Sequence, residues 1–204
     1  MTYDPERHHR RSIRFRGYDY AQAGAYFVTL CTQDRACLFG GIVDGEMRLN
    51  ETGLVVADTW RWLAVQHPYV ELDEWVVMPN HLHGIIVIVD DPGRGGSRTA
   101  PTQPVPTVPT VRTAPTQPGP ATARYKPLGR LIGAFKTVST KRVNEMRRMP
   151  GAPIWQRNYY EHIIRHEESM NRIRQYILDN PARWAFDREN LQAISPERED
   201  LWLA

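Results

Sequence analysis

Met78 to Val89 read MPNHLHGIIVIV, two histidines two residues apart at the head of an apolar run. On an extended strand residues i and i+2 point to one face, so His81 and His83 present their imidazoles side by side above Ile85, Val87 and Val89. Leu82, Ile86 and Ile88 line the other face. Apolar residues on both faces predict a central strand, where an imidazole must find a partner because burying an unpaired polar group is costly. Val70 to Met78 predicts a second strand, and the short Pro79-Asn80 connection makes the two antiparallel. Upstream, Gly24 to Gln33 (GAYFVTLCTQ) has the β-branched and aromatic content of a strand. Ala36 to Asn50 then reads as a hairpin turning at Asp44-Gly45. Asn50 to His67 predicts a helix capped by Asn50 and stopped at His67-Pro68.

The chain has 204 residues, 41% hydrophobic and 24% charged, enough for one core. Its longest uncharged apolar run, Gly84 to Val89, falls far short of a membrane span, and the charged N-terminus does not read as a signal peptide. The expected location is cytoplasmic. Cys31 and Cys37 are too few for a disulfide framework and lack metal-ligand spacing, so both read as reduced thiols. Basic residues cluster: Arg124 to Arg174 holds twelve Lys or Arg against four Glu, and Met1 to Gly17 five Arg against one Asp and one Glu. Such blocks suit a polyanion. Residues 1–23 read as a basic arm. Residues 24–184 form one domain, interrupted at 90–123 by a Pro/Thr-rich insertion in which RTAPTQP (Arg98 to Pro104) recurs at Arg112 to Pro118. That composition predicts disorder. Residues 185–204 read as a C-terminal tail.

Order resumes at Lys126. Leu128, Leu131, Ile132, Phe135, Val138 and Val143 predict an amphipathic helix to about Met146, with Arg130, Lys136, Lys141 and Arg142 on its other face. A further helical region is expected from Ile154 to Asn180-Pro181. In such a helix Tyr159, His162 and His166 share a face, which makes His162 the candidate third ligand for a metal held by His81 and His83. A divalent ion there would polarise a phosphodiester for attack by a tyrosine hydroxyl, otherwise a poor nucleophile, and Tyr159 is the expected attacker, whereas Tyr160 points away on such a helix and packs with Ile164.

The stretches RRSIRFRGYDYAQAGAYFVTLCTQ, WVVMPNHLHGIIVI, IGAFKTVSTKR, IWQRNYYEHIIRHEE and IRQYILDNPARW together resemble the REP-associated tyrosine transposases, within the single-tyrosine HUH-type, IS200-like superfamily. The resemblance spans most of Arg10 to Trp184, apart from the insertion. It implies a ferredoxin-like α+β fold with an antiparallel sheet, helices on one face and the catalytic tyrosine on a C-terminal helix. It also implies a divalent ion (Mg or Mn) at His81 and His83, Tyr159 as the nucleophile with Tyr160 as the alternative, and single-stranded or hairpin DNA cut through a 5′-phosphotyrosine, which places the protein at the nucleoid. Monomer and homodimer both remain open. Expected DNA contacts are Arg10, Arg11, Arg14, Arg16, Arg130, Lys136, Lys141, Arg142, Arg157 and Arg165, with Trp155 either stacking on a base or serving the core. Two other readings compete: a hairpin-binding protein that no longer cuts, and a metal-dependent phosphodiesterase whose nucleophile is metal-bound hydroxide.

Overall fold

A computed structural model describes residues 18–89 and 126–194; the Arg10, Arg11, Arg14 and Arg16 arm, the insertion and the last ten residues lie outside the described residues. The chain runs β1 (Gly24–Cys31), β2 (Gly40–Val43), β3 (Glu46–Leu49), α1 (Glu51–Gln66), β4 (Val70–Val77), β5 (His81–Ile88), α2 (Leu128–Arg147), β6 (Tyr160–Ile164) and α3 (Glu167–Asp179). Four strands form one antiparallel sheet in the order β4-β5-β1-β6, and β2 and β3 form a separate hairpin. With the hairpin set aside, β1-α1-β4-β5-α2-β6 in that strand order is the ferredoxin-like βαββαβ arrangement.

The local signals explain most of these elements. The Asn50 side chain accepts from the Gly53 amide at 2.9 Å, satisfying a free N–H of the first turn of α1. Asp44 and Gly45 both take positive φ, 53° and 77°, as a two-residue hairpin turn requires. The expected helix from Ile154 is not formed there. Tyr160–Ile164 pairs with β1 as an edge strand, and helix begins only at Glu167. The stretch is too short for spacing to separate helix from strand, and β1 offers it an open edge.

Two cores flank the sheet. On one face Tyr26, Val28, Leu30, Leu82 and Ile86 pack with Trp60 of α1 and Phe135 of α2. On the other, Phe27, Ile85 and Ile164 pack with Ile173 and Ile177 of α3. The expectation of helices on one face therefore holds for α1 and α2 but not for α3, which covers the opposite face. That face needs a cover because its own row of side chains is apolar apart from a few polar groups, and leaving it in water would forfeit their burial. A register shift between Leu72 and Trp75 interrupts the β4–β5 ladder, and Asp73 within it takes a bidentate contact from Arg174 of α3, Nε and Nη2 at 2.7 Å each. This contact ties α3 to the sheet.

The two described ends that flank the insertion meet at Tyr69: the Val89 amide donates to its carbonyl (2.9 Å) and the Lys126 amide to its hydroxyl (3.1 Å). Among the described residues, no helix is long and apolar enough to cross a membrane.

Gly84 lies in the middle of β5 where Trp60 rests against the sheet. A Cβ there would come 2.5 Å from Trp60 Cζ2, and that ring is fully buried. Gly84→Ala is expected to lower stability by about 1–3 kcal/mol through overpacking. Urea titration checks this, and an unchanged midpoint would show that α1 can shift away at no cost.

Candidate metal and nucleophile site

The pairing of β5 with β1 builds the site. His83 lies opposite Thr29 and His81 opposite Cys31, so both rings emerge on the face covered by α3. The rings lie 4.4 Å apart between centroids and are 0% and 3% exposed, which removes both from bulk water. His81 Nδ1 is 2.8 Å from Asn80 Oδ1. The Asn80 amide nitrogen already donates to the Arg35 and Glu189 carbonyls, so Oδ1 is the acceptor and His81 Nδ1 carries the proton. His81 Nε2 is thereby left with a lone pair, and it is a buried atom with no hydrogen-bond partner. His83 Nδ1 meets Thr29 Oγ1 at 2.9 Å, and its Nε2 meets the Tyr176 hydroxyl at 3.3 Å.

A third donor comes from beyond α3. After Asn180 the chain makes a short 3-10 turn, Trp184–Phe186, which sets the Trp184 ring 6.0 Å from His81 and delivers buried Asp187, its Oδ2 3.9 Å from His81 Nε2. Glu189 holds this segment down, accepting from Cys31 Sγ at 3.1 Å and pairing with Arg35 at 3.0 Å. Burial, helped by the Glu189 carboxylate, pushes the Cys31 thiol up, so that residue stays protonated. His81, His83 and Asp187 offer one ligand atom each within 4.8 Å of one another, and they are the group that could hold a metal ion among the described residues. Two neutral imidazoles with their other nitrogens engaged, one orphaned lone pair and a carboxylate fit a divalent ion.

Burial keeps the imidazoles uncharged. It pulls His81 down to about 3, helped by the Arg35 charge and opposed by the Asn180 amide. His83 is pushed well below its usual value by burial and by His81, with Asp187 opposing.

Several expected residues lie elsewhere. Tyr159 sits on the opposite face, packed against the α1 and α2 core with the Lys136 ammonium 5.5 Å from its ring centroid. The predicted grouping of Tyr159 with His162 and the histidine pair fails because the segment is a strand, so neighbours alternate between faces. Tyr160 is on the histidine face but contacts Phe27, ring to ring at 6.3 Å; it is Phe27 that stacks on His83 at 5.4 Å. His162 pairs with Phe27, two residues along β1 from Thr29, and does not join the His81, His83 and Asp187 group. Trp155 is buried, donating to Ser139 Oγ at 2.8 Å, which resolves its two readings in favour of the core.

Of the expected DNA contacts, Lys136 donates to the Gln156 and Asn158 carbonyls at 2.8 and 2.9 Å, and burial pulls its pKa down to about 8. Arg142 turns to α1, reaching Thr59 Oγ1 at 3.3 Å and lying over the Trp62 ring. Arg130, Lys141, Arg157 and Arg165 are exposed. Tyr176 and Asp187 went unassigned in the sequence. Tyr176 had a signal, one position before the core residue Ile177 on an amphipathic helix, but a tyrosine there is ordinary packing; Asp187 lies in a stretch with no periodicity.

No family model matches the chain. An uncharacterized protein of Haemophilus influenzae strain Rd is 38% identical over 181 residues, covering 89% of this chain and 93% of that protein. The chain belongs to the same family as that protein. Among solved structures, a REP-associated tyrosine transposase bound to a REP hairpin is similar at 18% identity with a TM-score of 0.47, over 85% of this chain and 74% of that one. A protein of Deinococcus radiodurans R1 provisionally named a transposase is similar at 18% identity with a TM-score of 0.41, over 82% and 97%.

The buried pair makes folding pH-dependent. In the unfolded chain each histidine takes a proton near pH 6.5, whereas the folded values lie below that. The unfolded state then binds more protons, so stability that is full above about pH 6.5 is lost as pH falls toward the folded values. The slope is up to about 1.4 kcal/mol per pH unit per histidine. Urea midpoints in EDTA between pH 7.5 and 4.5 should show this fall, and His83→Gln should make it shallower.

Proposed function

We propose that this chain is a metal-dependent single-strand DNA endonuclease and strand transferase that acts on hairpin DNA through a 5′-phosphotyrosine, with Tyr176 as the nucleophile. One observation carries the reading: the Tyr176 hydroxyl is 3.3 Å from His83 Nε2, beside the His81, His83 and Asp187 donors. It replaces Tyr159, which faces the other core, and ranks ahead of Tyr160. The resemblance of the sequence stretches quoted above to the REP-associated tyrosine transposases supports the same chemistry.

His81, His83 and Asp187 would hold the ion, Mg²⁺ or Mn²⁺, which would supply charge neutralisation at a non-bridging phosphate oxygen. The chain's own residues do the rest. Thr29 and Asn80 orient the two imidazoles through Nδ1, the outer contacts that hold a ligand ring in place. The bidentate Arg174–Asp73 contact, half a turn from Tyr176 on α3, keeps the hydroxyl in register with the pair. Tyr176 Oη forms the bond to phosphorus and gives up its proton, the P–O3′ bond breaks, and the leaving oxygen takes up a proton as a 3′-hydroxyl. The phosphodiester energy is kept in the phosphotyrosine, so the strand can be rejoined by the reverse attack.

The test is covalent capture with single-stranded hairpin oligonucleotides and Mg²⁺ or Mn²⁺. Tyr176→Phe should bind Mn²⁺ and hairpin DNA but form no denaturation-resistant adduct, while Tyr159→Phe and Tyr160→Phe should still form it. His81→Ala and Asp187→Asn, each removing a proposed ligand, should lower Mn²⁺ affinity in calorimetry by more than the about 10–100-fold that loss of an outer supporting contact costs. Cleavage without an adduct would replace this reading with a hydroxide nucleophile, and hairpin binding without cleavage would leave a DNA-binding protein.

A further inference from the structure

A groove of ≈ 760 Å³ opens between the C-terminal half of α2 and residues 150–157. Its size is that of a site enclosing a small ligand, too small for a duplex. Its apolar lining is exposed Pro153 with the buried Ile154 and Trp155, and its cations are Lys141, Arg148, Arg157 and the carbonyl-bound Lys136, against one acid, Glu145, which pairs with Lys141 at 3.8 Å. Arg148 and Arg157 are exposed. Asn144, 6% exposed, also lines the groove: its side-chain nitrogen Nδ2 donates to the Ala152 carbonyl at 2.9 Å, and its side-chain oxygen Oδ1 is buried with no hydrogen-bond partner. A ligand with an amino or imino hydrogen would satisfy that oxygen.

The 150–157 wall of the groove reaches the sheet beside β1. The Gln156 amide donates to the Cys31 carbonyl at 2.9 Å, and Cys31 is the residue paired with His81 across the β1–β5 ladder. The histidine pair itself faces α3 on the other side of the sheet from α2.

We infer that this groove binds an unpaired nucleotide of a single DNA strand, its base against the apolar wall and its phosphates at Arg148 and Arg157. The charge balance selects a polyanion, an apolar wall beside cations suits a base that is not paired, and Asn144 offers an acceptor such as a base amino group would meet. The inference rests on the strand-transfer reading for the strand's destination, not for its binding.

The test uses the full chain in EDTA, so that no cutting occurs. Hairpin oligonucleotides with single-stranded flanks carry 5-iododeoxyuridine at one flank position at a time. After irradiation, peptide mass spectrometry is expected to place a cross-link within Pro153 to Arg157. Arg148→Glu with Arg157→Glu should weaken binding at least about tenfold and reduce the salt slope by roughly 0.7 per lost phosphate contact. Thr140→Trp, which fills the groove without touching charge, should remove the same cross-link, and circular dichroism confirms the fold of each variant. Cross-links confined to other peptides, unaltered affinity in the double Glu variant, or equal competition by oligoglutamate would each overturn the inference. Should no Tyr176 adduct form with metal while the cross-link still maps to the groove, strand transfer fails and the groove stands. An adduct with cross-links elsewhere removes the groove alone.

Discussion

Two imidazoles are held out of water on one central strand, and most of the structure answers to that constraint. A lone pair in such a place must be met by something, and here Thr29, Asn80, Tyr176 and Asp187 converge on the pair from four segments of the chain. The β1–β5 register sets Thr29 opposite His83. Helix α3 covers the face, and the turn after it folds back so that Asp187 arrives beside His81. Hydrophobic patterning alone would be satisfied by valine at positions 81 and 83. The polar pair therefore narrows which arrangements of the C-terminal third are acceptable, because a misplaced α3 would leave unpaired nitrogens in the core.

The sheet was readable in the residues because β4, β5 and β1 have the run lengths and β-branched content that burial on two faces demands. Asn50 announced α1 through a local bond that needs no tertiary partner. The C-terminal third was less legible, for definite reasons. Tyr160, His162 and Ile164 alternate as a strand should, yet the same stretch also fits a helical face through His166, and five residues cannot break that tie without knowing that β1 has a free edge. This one ambiguity carried Tyr159 to the wrong face and His162 toward a ligand role. His81 and His83 were found by period-two spacing, which is local. Asp187 is over a hundred residues further along and meets them only through the path of α3, so no spacing rule could have joined them.

Basic residues were similarly over-read as a single class. Lys136 is engaged by two backbone carbonyls and Arg142 by α1, whereas Arg157 stays on the surface. A count of charges along a helix does not distinguish cations that stitch the fold from those left for a partner, since a side chain with a long apolar stem serves either purpose.

Tyr69 receives the chain on both sides of the repeat-containing stretch, one end at its carbonyl and the other at its hydroxyl. Both described ends are thus held at one residue, and loop closure in general grows more expensive only by about 0.6 kcal/mol per doubling of length. A RTAPTQP word gained or lost between Val89 and Lys126 would therefore meet the sheet at this one residue, a seam at which the length of the chain and the pairing of the sheet are set apart.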